Sequence, residues 1–308
     1  MLASPEGPAI GFAPMGRRAI LAGMNENVLI VHEPRVALRP LVLDSPHSGQ
    51  QMPPDFGSVR TVEELREGED CFIDEMYLPA TARGVPLLAA LFPRTYLDVN
   101  RHAGDVDLEL LDEPWPHAYQ PSGKGSIGKS LVWRTLDDGR PIYDQRLAAQ
   151  AVRHRIEHFH RPYHEQLRRL LDTAHAQFGR VYHINCHSMG PLSSLLIEGV
   201  KGEPRADFVL GDRDGTTCAP EFTAFVREHL TARGYDVKVN DPFKGVELVR
   251  AYADPAAGRH SLQLEVNKRL YMDTATLGKT PGFGIVQADL MGLLDAILEH
   301  FTPQALHG

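Results

Sequence analysis

The chain has 308 residues, with 32 Lys and Arg against 40 Asp and Glu, so its formal net charge is −8 with histidine neutral. Its 43% hydrophobic residues can form a large core in one or two domains, while 23% charged residues and an acidic balance argue against a membrane protein and a nucleic-acid-binding face. Three cysteines without a CxxC pair argue against a disulfide framework. We therefore expect a cytoplasmic protein with no nucleic-acid partner and no membrane segment.

The N-terminal segment 1–27 is predicted to be a flexible tail. It is rich in Pro, Gly and small residues, with a short apolar patch after Arg17 and Arg18. The patch is shorter than the roughly 7–15 apolar residues of a signal peptide and no small-residue cleavage site follows, which disfavours a twin-arginine export signal. We assign 28–302 to one domain, because no linker or repeat divides it.

Strand-like and helix-like segments alternate along this domain. Apolar or β-branched runs that end in polar residues predict buried strands at 41–49, 95–102, 180–188, 207–213 and 261–269. Helical periodicity predicts helices at about 61–83, 142–178, 219–233 and 284–301, the second with a kink or break at Pro162. This alternation predicts an α/β sheet.

The segment 103–141 has no sustained period and is rich in Gly, Pro and Asp. Because it follows directly on a polar strand end, it could be a lid or binding loop. An ordinary surface excursion would have the same composition, so both interpretations stay open.

Two histidines stand at the ends of predicted strands. His47 lies in SPHSG, where Gly49 permits a close backbone approach, and His187 lies in YHINCHSMG. Open α/β sheets build their sites at the carboxyl ends of strands, so the two could meet at one point. Either alone is more often a hydrogen-bonding turn residue. With a carboxylate they would form the His/His/carboxylate set of a catalytic zinc site, which leaves one position for water.

The acidic segment EGEDCFIDEMY is the source of the carboxylate. Glu69, Asp70, Asp74 and Glu75 lie at a predicted helix start, where helix-dipole capping and solvation alone would account for them. Asp70 and Asp74 share a helical face, so one could bind metal while the other orients a ligand or an arginine. We take Asp70 as the ligand and leave Asp74 open as the alternative.

Glu265 lies in a strand pattern between Leu264 and Val266. A carboxylate buried within a strand is costly, and beside a metal it would serve as the general base that activates water. The alternative is a buried salt bridge to an arginine such as Arg94. These two interpretations predict different partners for the same carboxylate.

Two arginines flank the predicted strand TYLDVNRH: Arg94 directly precedes it, and Arg101 lies near its end, after Asn100. A guanidinium at a strand end is suited to bidentate capture of a carboxylate. Either arginine could instead be structural and pair with Asp98 or Asp105. The sequence contains no GxSxG elbow and no HExxH zinc motif, which would have indicated other hydrolase classes.

Six motifs in chain order over about residues 28–300 resemble the N-formylglutamate amidohydrolase family: SPHSG, DCFIDEMY, RTYLDVNRHAGDVD, NCHSMG, LGDRDGTTC and LEVNKRLYMD. The resemblance implies a zinc-dependent amidohydrolase with a single-domain mixed β-sheet, helices on both faces, and a fold similar to zinc carboxypeptidases and other zinc-dependent exopeptidases. It also implies a place in histidine degradation. One departure is visible at Asn185, where the family commonly has Asp.

These observations together predict hydrolysis of the N-formyl amide, or another small N-acyl amide, of an acidic amino acid. N-formyl-L-glutamate and water would give L-glutamate and formate. Zinc or another divalent transition metal would be bound by His47, Asp70 and His187. Glu265 would take a proton from water and pass it to the leaving amine. Arg101 would hold a substrate carboxylate and stabilise the oxyanion, with Asn100 and Arg94 as further substrate-binding candidates.

Two alternatives remain at this point. One is a hydrolase of another N-acyl amino acid or a peptide-like amide, whose specificity would depend on loops such as 103–141. The other is a non-catalytic binding protein of the same fold. Such a protein would be expected to have lost at least one of His47, His187, the acidic ligand and Glu265. The sequence makes no prediction about the oligomeric state.

Overall fold

The computed structural model describes residues 28–301, apart from the side chain at position 197, so the predicted tail 1–27 lies outside the described residues. The strands are β1 (Leu29–His32), β2 (Leu41–Ser45), β3 (Leu87–Ala90), β4 (Val181–Met189), β5 (Phe208–Gly211), β6 (Val237–Val239), β7 (Arg259–Asn267), β8 (Met272–Asp273) and β9 (Gly278–Lys279). The α-helices are α1 (Val62–Leu65), α2 (Ile73–Tyr77), α3 (Ala149–Arg155), α4 (Arg161–Phe178), α5 (Leu195–Glu198), α6 (Pro220–Thr231), α7 (Glu247–Tyr252) and α8 (Gly282–Phe301).

Within residues 28–301, seven strands form one sheet in the order β1-β3-β2-β4-β7-β5-β6. The central strands β3, β2, β4 and β7 run parallel to one another, whereas β1 is antiparallel to β3 and β5 is antiparallel to β7. The predicted mixed sheet is therefore confirmed. Because β2, β4 and β7 run in the same direction, their carboxyl ends meet at one edge of the sheet.

Two apolar cores cover opposite faces of this sheet. On one face, α2, α6 and α8 pack against side chains such as Leu43, Ile184 and Leu264. On the other face, α4 and α7 pack against Val42 and Val181. The fold class is confirmed, with helices on both faces. The single-domain boundary at 28–302 stays a prediction.

Helix α4 shows how the sequence specifies its helices. Its buried residues, Tyr163, Leu167, Leu170, Leu171 and Ala174, recur at helical spacing. Pro162 lies in the first turn, where it is tolerated, and Gly179 ends the helix in a left-handed conformation. The predicted break takes the form of a π-helical turn, Ile156–His160, between α3 and α4.

The predicted strand at 95–102 is wrong, because this segment is a series of turns. The Asp98 side chain accepts the N–H of Asn100 at 2.9 Å, a local bond that favours a turn over a sheet ladder. The Asp98 N–H donates to the carbonyl of Leu131 at 2.7 Å, so the backbone bonds to a loop instead of to a strand. The β-branched and aromatic residues that suggested a strand are buried for packing.

The predicted continuous helix at 61–83 is also wrong. The chain forms α1, a 3-10 turn at Arg66–Gly68, α2, and a second 3-10 helix at Leu78–Arg83. The interruption follows from Phe72, which adopts a left-handed conformation with φ of 64° directly before α2. Asp70 therefore lies in a turn between helices.

The segment 103–141 is a packed part of the fold. It contains two short 3-10 helices, Leu108–Leu110 and Lys124–Ile127, and buries Leu131, Val132 and Trp133 in the same core as α4. Residues 112–123 in the middle of the segment are exposed, apart from the half-buried Trp115. The interpretations as a binding loop and as a surface excursion therefore both stay open. Over the described residues, every helix falls short of the length and apolarity needed to cross a membrane.

Candidate active site

The carboxyl edge of the central strands gathers the chemistry-bearing side chains. His47 follows β2, and His187 lies near the end of β4, where it pairs in register with Glu265 on β7. Gly49 is required after His47, because a Cβ there would lie 2.3 Å from the backbone carbon of Leu91. The parallel direction of three strands thus brings residues that are far apart in sequence to one place.

Three donor atoms converge at this edge. His47 Nδ1 and His187 Nδ1 are 3.1 Å apart, and Asp70 Oδ2 lies 3.3 Å from the first and 2.9 Å from the second. Tetrahedral ligands of one zinc ion, at 2.0–2.1 Å from the metal, are about 3.3 Å from one another. All three residues are buried. Two imidazoles and one carboxylate at this separation could hold a metal ion.

Asp70 is fixed in this cluster by its own backbone and side-chain contacts. Its N–H donates to the carbonyl of His47 at 3.0 Å, and Ser188 Oγ donates to its Oδ1 at 3.2 Å. Burial opposes its ionisation, but hydrogen bonds from His187 and His47 lower the pKa of Asp70 below its ordinary value. Asp74 is outside the cluster and instead lies near His32, whose pKa burial lowers. Of the two candidates, the structure places Asp70 beside the histidines.

The outer nitrogens of both histidines have buried partners. His47 Nε2 lies 2.7 Å from Asp98 Oδ1, and His187 Nε2 lies 2.6 Å from Asn185 Oδ1. Asp98 is held in turn by Arg94 Nη2 at 2.8 Å. Burial opposes ionisation of Asp98, but the charges of Arg94 and His47 keep its pKa well below the ordinary value. With Nε2–H bonded outward, each Nδ1 can present its lone pair to a metal ion in place of a hydrogen bond to Asp70, as metal ligands require.

Glu265 has the surroundings expected of a base. Gln263 Nε2 donates to its Oε1 at 2.9 Å, and among residues 28–301 nothing donates to its Oε2. Burial raises the pKa of Glu265 to about 7, partly offset by the charge of His187. The alternative salt bridge to Arg94 is not formed in the described part of the chain, since Arg94 pairs with Asp98. The carboxylate therefore has one oxygen available to a water or substrate.

The two arginines have different environments. Arg101 donates from Nε to the carbonyl of Lys129 at 3.1 Å and from Nη1 to the carbonyl of Asn100 at 3.2 Å, and burial lowers its pKa. Arg94 has a buried Nε without a hydrogen-bond partner, and its charge acts on Asp70. An unpartnered buried N–H is a ready donor to a ligand oxygen. Both arginines thus remain candidates for the substrate carboxylate.

Asn100 lies behind His187. Its Oδ1 accepts the N–H of Leu248 at 2.9 Å, which turns its Nδ2 toward His187 Nε2 at 3.1 Å and toward Asn185 Oδ1 at 3.5 Å. Because Nε2 carries the hydrogen that Asn185 accepts, the acceptor of the Asn100 amide is Asn185 Oδ1, and Asn100 packs against the His187 ring. Its predicted contact with substrate stays a prediction, and its observed contacts link the histidine to the start of α7.

The turn that carries Asn100 and Arg101 is held by α4 and the π turn before it. His160 Nε2 bonds to the carbonyl of Arg101 at 2.9 Å, and His164 Nε2 bonds to the carbonyl of Val99 at 2.8 Å. The two imidazole rings stack with centroids 4.0 Å apart. These bonds replace the sheet ladder that a strand would have provided. The sequence analysis missed them, as it missed Asp98 as the partner of His47.

The segment GKGSIGKS at 123–130 has the spacing of a Walker phosphate loop, but its context excludes that function. A Walker loop follows a strand and opens a helix, whereas this segment follows coil and forms a short 3-10 turn. The Lys129 ammonium lies 3.7 Å from the Trp133 ring centre and pairs with Asp137 at 2.8 Å. The lysine is therefore not presented to a phosphate.

Comparisons with known proteins identify the family of related sequences. The sequence model of the N-formylglutamate amidohydrolase family matches residues 39–272. N-formylglutamate deformylase of Pseudomonas putida is 31% identical over 253 residues, which cover 80% of this chain and 86% of the relative. The Pseudomonas aeruginosa enzyme of the same name is 31% identical over 240 residues, covering 76% and 82%.

Structural similarity leads to the same family. The crystal structure of N-formylglutamate amidohydrolase from Ralstonia eutropha JMP134 superposes with a TM-score of 0.84 and 42% identity, covering 89% of this chain and 98% of that one. The resemblance seen in the six sequence motifs is thereby confirmed, and the chain belongs to the N-formylglutamate amidohydrolase family.

Proposed function

We propose that the protein is a zinc-dependent hydrolase that converts N-formyl-L-glutamate and water to L-glutamate and formate. The observation that carries the proposal is the convergence of His47 Nδ1, Asp70 Oδ2 and His187 Nδ1 within 3.3 Å of one another, with Glu265 in register beside His187. The deformylase relatives support the choice of substrate. The proposed partner is a small molecule. Histidine degradation, the pathway implied by the resemblance, stays a prediction.

The metal site is proposed from its donor set. Two imidazole nitrogens and one carboxylate oxygen are the ligands of catalytic zinc sites, which keep a further position open. Zinc bound there would lower the pKa of a water molecule and polarise the amide carbonyl. Another divalent transition metal would suit the same three ligands.

Glu265 is proposed as the group that moves the proton. The pKa of about 7 that burial produces suits a group that both accepts and releases a proton near neutrality. Its free Oε2 would accept a proton from the attacking water, while Gln263 holds Oε1. The same carboxyl group would then donate that proton to the departing amide nitrogen, so that the products are formate and the free amine.

Arginines are proposed to hold the anionic substrate. Arg101 is the predicted carboxylate clamp, and it offers a guanidinium fixed by two backbone carbonyls. Arg94 adds a buried Nε–H that has no hydrogen-bond partner within residues 28–301, and its charge interacts with those of Asp70 and Glu265. An oxygen that becomes negative during attack on the formyl carbon would be stabilised by such a donor.

A non-catalytic relative would be expected to have lost at least one of four residues: His47, Asp70, His187 and Glu265. The binding-protein alternative is disfavoured because all four are present and clustered. A panel assay separates the remaining candidates. Zinc-loaded protein is incubated with N-formyl, N-acetyl and N-succinyl amino acids, and release of the primary amine is measured. We expect N-formyl-L-glutamate to give the highest kcat/KM. Faster amine release from another N-acyl amino acid would assign that compound as the substrate. No amine release from any compound of the panel would refute the proposed enzymatic activity.

A further inference from the structure

A buried carboxylate that the proposed chemistry does not use lies one strand away from His187. Asp44 is in β2, fully buried, and pairs in register with Asn185 on β4. Its bonded partners in the described residues are His183 Nε2, Asn185 Nδ2 and Tyr163 Oη, each at 2.8 Å. No Lys or Arg of residues 28–301 forms a salt bridge with it. A buried carboxylate without a guanidinium or ammonium partner calls for a physical explanation.

A continuous chain of hydrogen bonds leads from Asp44 to the metal cluster. Asn185 Nδ2 donates to Asp44 Oδ1 at 2.8 Å, and Asn185 Oδ1 accepts from His187 Nε2 at 2.6 Å. His187 Nδ1 in turn lies 2.9 Å from Asp70 Oδ2. The asparagine therefore contacts the carboxylate with one end of its amide and the histidine with the other.

The carboxylate fixes the orientation of this amide. If Asn185 were flipped, its carbonyl would face the Asp44 oxygen and its NH₂ would face the Nε2–H of His187, so both bonds would be lost. A bond to an ionised acceptor is stronger than a neutral one, and it polarises the amide so that its carbonyl becomes a better acceptor. His187 is thereby held with hydrogen on Nε2 and a lone pair on Nδ1.

Other groups keep Asp44 in the charged form. Burial opposes its ionisation, but the hydrogen bonds of His183, Asn185 and Tyr163 lower the pKa of Asp44 below its ordinary value. His183 is itself fixed on its other side, where Nδ1 lies 2.7 Å from Ser261 Oγ. The negative charge is thus held in place from three directions.

We propose that Asp44 is a positioning residue for the metal site, whose buried negative charge acts on His187 through the amide of Asn185. This inference rests on the proposed function only in taking His187 as a metal ligand. It differs from a structural role for Asp44, because the charge, and not only the hydrogen bonds, determines how well His187 binds metal. Partners of ligating histidines affect metal affinity by about 10- to 100-fold.

The test moves the negative charge from position 44 to position 185 in this chain of hydrogen bonds. Asp44→Asn keeps the shape and can keep a bond to Asn185, but it removes the charge. The double variant Asp44→Asn with Asn185→Asp keeps the charge and moves it next to His187. Zinc affinity is measured by equilibrium competition with a chelator, and kcat and KM are measured on zinc-loaded protein. We expect Asp44→Asn to weaken zinc affinity about 10-fold or more, with a loss in kcat, and the double variant to regain most of both.

Two further variants keep the test decisive. Asn185→Ala breaks the connection and leaves Asp44 in place, so it should lose zinc affinity to a similar extent even if Asp44→Asn does not fold. Tyr163→Phe is the matched control, because it removes another 2.8 Å bond to the same carboxylate without touching the connection to His187. It should lower the unfolding temperature and leave zinc affinity within about 2-fold, since the Asp44 carboxylate keeps its charge and its bond to Asn185.

The outcomes separate this inference from the proposed function. Wild-type zinc affinity in folded Asp44→Asn or Asn185→Ala would overturn the inference, and so would a double variant no better than Asp44→Asn. Neither result would affect the hydrolase. If Asp44→Asn weakens zinc binding but the wild-type protein hydrolyses no N-acyl amino acid, the proposed function is refuted and the inference is supported. A wild-type protein that binds no zinc would overturn both.

Discussion

The two faces of β4 serve different purposes although they belong to the same nine buried residues. One face presents His183, Asn185 and His187, each hydrogen-bonded to groups on neighbouring strands or on the turn that carries Asp70. The other presents Tyr182, Ile184 and Cys186 to the apolar core under α2, α6 and α8. Successive side chains of a strand point to opposite faces. One face of β4 therefore supplies polar side chains at the candidate site, while the other face stabilises the apolar core.

The energetic difference between the faces predicts what a substitution will do. A fully buried aliphatic side chain contributes about 1.5–3 kcal/mol of stability through the area removed from water. A buried hydrogen-bonded polar group contributes about 1 kcal/mol net, but leaving its partner unsatisfied costs about 1–3 kcal/mol. Changes to either face should therefore lower the free energy of unfolding, but only changes to the polar face should also affect metal binding and catalysis.

The strongest test of this contrast is removal of a ligand from the polar face. His47→Ala and His187→Ala should each lose most of the bound metal and all measurable activity, because three protein ligands leave no redundancy. Metal content after dialysis and amine release from N-formyl-L-glutamate are the measurements. Asp74→Ala is the control for Asp70→Ala, and we expect metal loss only in the latter. Stoichiometric zinc in either histidine variant would remove that residue from the site.

The next effect in size separates binding from chemistry on the neighbouring strand. Glu265→Gln should retain zinc and substrate affinity and lower kcat by about 100-fold or more, the usual loss for a general base. Gln263→Glu is not a suitable control, because it would add a second carboxylate beside the first. Zinc stoichiometry serves instead as the internal reference. A rate close to wild type would assign Glu265 a structural role.

A partner of a ligand should have an intermediate effect. Asp98→Asn leaves a hydrogen bond to His47 Nε2 available but removes the charge that now lies 2.7 Å away. We expect zinc affinity to fall by about 10- to 100-fold, with secondary structure unchanged by circular dichroism. Asp295→Asn is a suitable control, because it also neutralises a carboxylate paired with an arginine, and the Asp295 side chain is 55% exposed and outside the cluster. Equal zinc affinities for both variants would contradict the interpretation.

The arginine prediction extends the comparison to the turn at 95–102. Arg101→Lys keeps the charge but loses the planar guanidinium, so kcat/KM for N-formyl-L-glutamate should fall about 10-fold, chiefly through KM. Arg94→Lys is measured in parallel. If one of these arginines binds the α-carboxylate, its substitution should lower kcat/KM less for an analogue whose α-carboxylate is an amide than for the acid. Equal losses on acid and amide would show that Arg101 does not contact it.

The smallest expected effect is on the apolar face. Ile184→Val removes one methylene from a fully buried side chain adjacent to Asn185. We expect the free energy of unfolding to fall by about 1 kcal/mol, while zinc stoichiometry and kcat/KM stay within about 2-fold of wild type. Denaturant unfolding and the amine assay measure the two. A large loss of metal in this variant would mean that the two faces are not independent.

Much of this arrangement could be predicted from sequence because strand chemistry is local. The runs around His47, His187 and Glu265 each end in polar residues after buried apolar ones, and all three belong to or directly follow strands of the central sheet. The choice of Asp70 over Asp74 depended on the turn before α2. That turn requires the left-handed conformation of Phe72, which no residue preference indicates.

The segment 95–102 shows where sequence reasoning fails. Its apolar residues have the composition of a strand, but the local bond of Asp98 and the bonds from His160 and His164 fold it into turns. The partners of this segment lie about sixty residues away on α4 and the π turn. Such long-range polar contacts leave no periodicity in the sequence, so the contact of Asp98 with His47 and the bonds of Asp44 were not predicted. The pairing of Asp98 with an arginine was predicted as an alternative, and Arg94 forms it.

The central claim is that the polar edge of the sheet holds one metal ion between His47, Asp70 and His187. An anomalous-difference map at the zinc absorption edge, from crystals of protein grown with zinc, tests it most directly. We predict a single strong peak bounded by the Nδ1 atoms of both histidines and Oδ2 of Asp70, within about 2.0–2.2 Å of each. A map with no peak at this position, or a peak bounded by Asp74 instead of Asp70, would contradict the claim.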